Sequence, residues 1–198
     1  NILNELNKTS RPSDEKYKFS FLGYSGFGGY GSNHVKRFQL LRSLAKETEL
    51  QLWTEEDKNV RLSQLSPEDK PLLNQFPKQV HEGKFGIDMY KILKQSLVTF
   101  NKHTEAAGTV IGNMRLFEAT GAGSCLLTDT GDNMSSLFAE GSEVVTYQNL
   151  DECKEKLKYL LENEVTRRRI AEAGQSRTLK DHSLQNRCSE LNQYIQEI

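Results

Sequence analysis

Long hydrophobic runs are missing from this 198-residue chain: the most apolar stretches, such as Ser124 to Thr128, are strand length, far short of the roughly 20 residues that cross a bilayer. No apolar segment stands at the start either, because Asn1 to Ser20 is polar, and a secretory signal is not expected there. An excess of one charge is missing too. With 26 Lys plus Arg against 27 Asp plus Glu the net charge is -1, which removes the bulk electrostatic argument for nucleic acid or an anionic membrane surface. Cysteine is scarce and odd in number. Cys125, Cys153 and Cys188 lie far apart with no zinc or thioredoxin spacing, so a reduced, cytoplasmic protein is expected, with Cys125 a small buried hydrophobe. Repeats and low-complexity tracts are also lacking. What is there, 36% hydrophobic and 27% charged residues, suits one globular domain of ordinary core size, or at most two small ones. The chain opens on Asn1, and a cut or processed piece of a longer protein is expected.

Residues 1–18 mix Asn, Lys, Ser, Pro and acidic side chains without periodicity and read as a linker or N-terminal extension; the domain is expected over 19–198. Strands are predicted at Phe19 to Tyr24, Leu50 to Trp53, Leu97 to Asn101, Ser124 to Thr128 and Val144 to Tyr147, with a weaker signal at Gln79 to His81, making about six. Helices are predicted at His34 to Lys46, with Val35, Phe38, Leu41 and Ala45 on one face, and at Ile87 to Gln95, Asn113 to Thr120 and Asn133 to Phe138. Three more, at 150–162, 164–181 and 183–198, form a helical tail. Glu55 to Lys84, with Pro67, Pro71 and Pro77, reads as a long surface excursion. The alternation predicts an α/β fold, a Rossmann-like parallel sheet with helices on both faces. Ligands in such sheets bind beyond the carboxyl ends of the strands, so the loops after Tyr24, Trp53, Asn101 and Thr128 matter most.

Two constellations fall on those loops. Gly26-Phe-Gly28-Gly-Tyr-Gly31 matches G-x-G-x-x-G between a strand and a helix, where bare backbone N–H groups can approach a phosphate. Glu55, 24 residues beyond Gly31, falls near the place of a ribose-binding acid. An NAD(P)-binding Rossmann domain of an oxidoreductase is therefore one reading; a flexible loop without a ligand is the plainer one. The second constellation runs from Asn101-Lys-His103 through Gly108 to Gly112-Asn113-Met-Arg115 and Glu118. A helix start at Gly112 and Asn113 exposes unpaired N–H donors, and Arg115 adds a cation, so an anion such as a diphosphate would be held there. Glu118 stands about 7.5 Å up the axis from Asn113 by helix rise, which suits a carboxylate taking two ribose hydroxyls. Each residue also has an ordinary account: Arg115 and Glu118 a surface ion pair, Asn113 an N-cap, Gly121 and Gly123 a helix stop, His103 a loop residue bonded to backbone.

The run Asn113-Met-Arg-Leu-Phe-Glu-Ala-Thr-Gly-Ala-Gly-Ser-Cys-Leu-Leu-Thr-Asp129, followed by Leu137-Phe138 and Gly141-Ser-Glu-Val-Val-Thr-Tyr147, resembles the nucleotide-sugar half of GT-B glycosyltransferases of group 1, in particular the bacterial CgeB-like group. Gly86 to Tyr90, Phe100 to His103 and Arg167 to Gly174 are similar too, and the likeness covers roughly Phe19 to the end. The resemblance implies the donor-binding carboxyl-terminal lobe of an enzyme that transfers a sugar from a nucleoside diphosphate sugar, without a metal or other cofactor. It implies Glu118 on the ribose, Asn113 and Arg115 at the diphosphate, Asn101 and His103 along the sugar pocket, and Met114 among the donor-binding residues. The loop with Ser25, Gly26 and Gly28 would close over the donor from the other side. The acceptor site and often the catalytic base come from an amino-terminal lobe for which this chain has no room, so no catalytic residue is assigned and little activity is expected alone. The final helix, with Leu184, Leu191, Tyr194, Ile195 and Ile198, would cross to that lobe.

Two departures matter. Many retaining relatives carry Glu-x7-Glu, whose first member falls at Val110, so retaining stereochemistry is unsupported. No Asp-x-Asp pair occurs, since two residues separate Asp129 from Asp132, and a metal-bridged diphosphate is not expected. A third reading, beside transferase and oxidoreductase, is a non-catalytic interaction module of the same fold.

Overall fold

The protein is described by a computed structural model over residues 16–27, 34–56 and 61–197. Six parallel strands, β1 (Tyr17–Leu22), β2 (Leu50–Thr54), β3 (Val80–Glu82), β4 (Ser96–Asn101), β5 (Cys125–Asp129) and β6 (Val145–Tyr147), form one sheet in the order β3-β2-β1-β4-β5-β6. The order reverses between β1 and β4, in register Phe19 with Val98 and Phe21 with Phe100, which opens a crevice beyond the ends of those strands. The helices are α1 (Val35–Glu47), α2 (Leu72–Gln75), α3 (Gly86–Lys94), α4 (Met114–Ala122), α5 (Met134–Leu137), α6 (Leu150–Glu162), α7 (Glu164–Asp181) and α8 (Leu184–Gln196).

Period-two alternation sorts the strands onto two cores. Phe19, Phe21, Val98, Phe100, Cys125 and Leu127 face α1, α6 and part of α7, where Leu41, Leu44, Leu157, Leu160 and Ile170 are buried. Leu22, Trp53 and Leu126 face α3 and α4, against Met89, Leu93, Leu116 and Ala119. The remaining inward positions carry hydroxyls that satisfy one another: Ser20 Oγ meets Thr99 Oγ1 at 3.3 Å, Thr99 Oγ1 meets Ser124 Oγ at 2.7 Å, and Ser124 Oγ donates to Ser96 O. Buried polar groups paired in this way cost little.

Several boundaries move. The N–H groups of Lys16 and Tyr17 both donate to Gln95 O, which starts β1 two residues before Phe19 and draws Tyr17 and Lys18 into the sheet; residues 1–15 of the expected extension lie outside the described residues. The strand ends at Leu22 rather than Tyr24. On α1 the buried stripe is Arg37, Leu41, Leu44 and Ala45, while Val35 is exposed. The excursion after Glu55 returns to the sheet as the edge strand β3.

Gly174 on α7 shows how closely the tail docks. A Cβ there would stand 2.3 Å from Glu143 O, a backbone atom that cannot turn aside. Gly174→Ala is therefore expected to destabilise the fold by about 1–3 kcal/mol despite a helix-propensity gain of about 1 kcal/mol, as read from the urea midpoint.

Candidate functional site

The start of α4 is fixed from three sides. Asn113 caps the helix, its Oδ1 accepting from Leu116 N at 3.2 Å, and its Nδ2 donates to Asn101 Oδ1 at 2.9 Å. Asn101 Nδ2 returns a bond to Asn113 Oδ1 and gives another to Thr128 Oγ1 at 3.0 Å. Asn101 is 2% exposed. Its amide is spent tying the helix end to the tips of β4 and β5, so it positions the site from behind.

On one flank lies a cavity of about 390 Å³ lined by Arg37, His103, Thr104, Ile111, Gly112 and Asn113 among others. His103 Nε2 accepts the N–H groups of Gly112 at 3.3 Å and Asn113 at 3.4 Å, while Nδ1 meets Asp129 Oδ1 at 2.8 Å. Asp129 also takes the His103 backbone N–H and, at 2.7 Å, Lys102 Nζ. Burial alone would raise the Asp129 carboxyl, but the bonds from His103 and Lys102 outweigh it and hold it down at about 2. Arg37 is 8% exposed. It donates to Lys102 O at 2.7 Å and Tyr24 O at 3.4 Å, and its Nε is hidden without a hydrogen-bond partner. Burial lowers its pKa, opposed by the charges of Asp129 and Glu105. Both carboxylate oxygens of Glu105 are likewise hidden without a hydrogen-bond partner. The flank thus offers an anchored guanidinium and two helix-end amides, a combination suited to an anion.

On the other flank a cavity of about 460 Å³ is lined by Tyr90, Met114, Phe117, Glu118, Leu179 and Leu184 among others. Glu118 Oε2 stands 3.0 Å from Arg115 Nη1, and both side chains are about 15% exposed. Arg115 Nε donates to Leu22 O at the tip of β1. Burial lowers the Arg115 pKa, with Glu118 and Tyr90 opposing, and burial raises the phenol of Tyr90, with the charge of Glu118 adding to it.

The structure therefore brings Asn113, Met114, Arg115, Glu118, Asn101 and His103 around one helix end, in different roles. Arg115 turns to β1 and holds Glu118, and the cation on the His103 flank is Arg37. Met114 is a 74% exposed rim residue. Ser25 is fully buried; its N–H donates to Thr54 Oγ1 and its Oγ to Glu56 Oε1, and it lines neither cavity. Gly26, at φ +95°, packs so that a Cβ would meet His34 O at 2.5 Å, a packing reason for glycine. Gly28 lies outside the described residues. Arg37 and Asp129 are the residues sequence reasoning missed. Position 37 lies four before Leu41 and seven before Leu44, so a cation there on the buried stripe was the readable sign. Among the described residues no group of three His, Cys, Asp or Glu could hold a metal, and no helix is long and apolar enough to cross a membrane.

Comparison with solved structures gives the same fold at low identity. The C-terminal domain of a group 1 family glycosyl transferase from Francisella tularensis aligns over 93% of this chain and 94% of that one, with 13% identity and a TM-score of 0.58. Sucrose-phosphate synthase from Thermosynechococcus elongatus aligns over 99% and 48%, with 13% identity and a TM-score of 0.63. TarM from S. aureus, solved with fondaparinux, alpha-GlcNAc-glycerol and UDP, aligns over 95% and 37%, with 11% identity and a TM-score of 0.60. The chain spans less than half the length of the latter two. No curated protein matches it. The Glycosyl transferase-like family, by contrast, matches residues 37–193, well over half the chain and both flanks of the α4 site, and the chain belongs to that family.

Proposed function

We propose that the chain is the donor-binding lobe of a glycosyltransferase that moves a sugar from a nucleoside diphosphate sugar to an acceptor. One observation carries this reading: a single helix end separates an anion-suited cavity, with the Gly112 and Asn113 amides and Arg37, from a second cavity faced by the carboxylate of Glu118. The diphosphate belongs at the α4 tip, the ribose hydroxyls on Glu118, and the sugar on the His103 flank. Ser25, Gly26 and Gly28 belong to the loop over the donor. UDP in the TarM structure is consistent with such a ligand for the fold.

The acceptor and the catalytic base belong to an amino-terminal lobe outside this chain. The chain's share of its longer neighbours, 48% and 37%, supports that, as does the bare face of α8, where Leu184, Leu191, Tyr194 and Ile195 are 60–85% exposed. A CgeB-like, bacterial, cytoplasmic enzyme is the finer reading; the run from Asn113 to Asp129 supports the subtype, and the free Cys125, Cys153 and Cys188 fit a reducing compartment.

A thermal-shift panel of nucleoside diphosphates, their sugars and NAD tests the proposal. A ligand at 100 times its Kd stabilises by about 2.7 kcal/mol, or about 5–10 °C for a chain of this size. One nucleoside diphosphate series is expected to give that shift. A shift with NAD alone selects the oxidoreductase, whose dinucleotide fold shares this strand order; no response to any of them selects the interaction module.

A further inference from the structure

The anion-suited seat at the α4 tip is not a bare set of donors. The N–H groups of Gly112 and Asn113 both point at His103 Nε2, at 3.3 and 3.4 Å. Two N–H donors converging on one ring nitrogen require a lone pair there, so the single ring proton resides on Nδ1, where Asp129 Oδ1 accepts it at 2.8 Å. A proton on Nε2 would face both N–H groups head-on and the positive end of the helix behind them. Any phosphate oxygen that takes those two N–H groups must therefore displace the imidazole. The same cavity holds an independent sign of an anion, the 8% exposed Arg37 with its hidden, unpartnered Nε.

Resting on the donor-lobe reading, we infer that His103 is a proton-linked ligand of the diphosphate: donor binding hands the Gly112 and Asn113 amides to a phosphate oxygen, and the freed imidazole takes up a proton and turns from acceptor to donor. The proton comes from solvent and stays on the ring, and no bond of the donor is made or broken. The surrounding charges favour this. Asp129 stays against Nδ1, and Lys102, on its other oxygen at 2.7 Å, offsets part of its charge. Arg37 opposes a second cation, and Glu105, whose charge acts on Arg37, offsets that in turn. Tyr147 bonds Asn101 O, and burial keeps its hydroxyl protonated. The fixed charges being balanced, the negative charges of an incoming diphosphate dominate the field at Nε2, and an imidazolium between two anions is the stable form.

The test is calorimetric titration of the 198-residue chain with the nucleoside diphosphate sugar that gives the largest thermal shift. The sugar ester is used because it lacks the free diphosphate's own titration near neutral pH. Titration in two buffers of different ionisation enthalpy counts the protons. Uptake approaching about one proton per donor is expected, with affinity falling up to about tenfold per pH unit. His103→Gln, which cannot titrate, is expected to bind without uptake and with a flat pH profile. If that variant does not fold, the ring ¹⁵N spectrum of the unaltered protein decides instead, changing from one protonated nitrogen on His103 to two when donor is added. Donor binding with no proton uptake, or uptake that survives in His103→Gln, overturns the inference and leaves the donor reading standing. Failure of every donor to bind overturns both.

Discussion

Glu118→Ala is expected to remove the thermal shift produced by the donor, with affinity falling about 100-fold or more in calorimetric titration. A carboxylate accepting hydroxyl hydrogen bonds contributes about 1.5–3 kcal/mol for each, and in the proposed complex two hydroxyls of one ribose fall to Glu118, the single carboxylate among the described residues that line the α3–α4 cavity. The fold also suffers. Arg115 is only 15% exposed and pairs with Glu118 at 3.0 Å, so truncation strands a largely buried guanidinium, a change that in fully buried pairs costs about 3–5 kcal/mol and here is expected to cost about 2. Two further variants separate the effects. Glu118→Gln keeps a hydrogen-bond acceptor for Arg115 but loses the charge, and is expected to lose more binding than stability. Arg115→Met also breaks the pair but leaves the carboxylate in the cavity, so it is expected to destabilise comparably while binding stays within about tenfold. Equal loss of binding in Arg115→Met and Glu118→Ala would reduce Glu118 to a partner of Arg115 and sink the ribose assignment.

The fold was legible because its signals are local and redundant. Short apolar or alternating runs such as Phe19-Ser-Phe-Leu22 and Ser124-Cys-Leu-Leu-Thr128, punctuated by Gly112, Gly123 and Asn149, place all six strands within about two residues, the weak signal at Gln79 to His81 included, and the N-caps at Asn113, Asn149 and Ser183 hold their helix starts by side-chain bonds. The shift of β1 was not legible, since it depends on Gln95 O, about eighty residues away in sequence, receiving the N–H groups of Lys16 and Tyr17. The site divides in the same way. Asn113 and Glu118 sit on one helix, where spacing converts directly to geometry. Arg37 reaches the same cavity from α1, and Asp129 reaches His103 from β5. The stripe of α1 signals only that Arg37 is buried; neither contact has a sequence-local signature, because the parallel sheet alone brings those ends together. The three-residue spacing of Arg115 and Glu118 offered their pairing as the ordinary account, though at the surface, and the pair is largely buried. The spacing did not reveal that Arg115 reaches back to Leu22 O at the tip of β1, or that Arg37 is the guanidinium lining the His103 flank.

Asp129→Asn is expected to be the other large effect, because Asp129 is the common acceptor for the loop after β4. It takes the His103 backbone N–H at 3.0 Å, the His103 ring at 2.8 Å and Lys102 at 2.7 Å, all three of them donors. Asparagine supplies one acceptor and one NH₂ to this set, so at least one donor is left facing another, with a partly buried ammonium unpaired. A loss of about 3 kcal/mol at neutral pH is expected from breaking such a pair, together with release of the His103 ring from the Gly112 and Asn113 amides. The pH dependence isolates the carboxylate. Its folded pKa of about 2 lies below the 3.8 of the free group, so the native state holds the ionised form more tightly than the unfolded chain does. The resulting stabilisation, about 2 kcal/mol, is present in full above pH 4 and is lost as pH falls towards 2. Urea unfolding from pH 6 to pH 2 is then expected to show the unaltered protein losing that much more stability over the acid interval than Asp129→Asn, the gap between them narrowing from about 3 to about 1 kcal/mol. Parallel curves with a constant gap would mean that the carboxylate is not held by His103 and Lys102, and the anchor of the whole anion flank would have to be sought elsewhere.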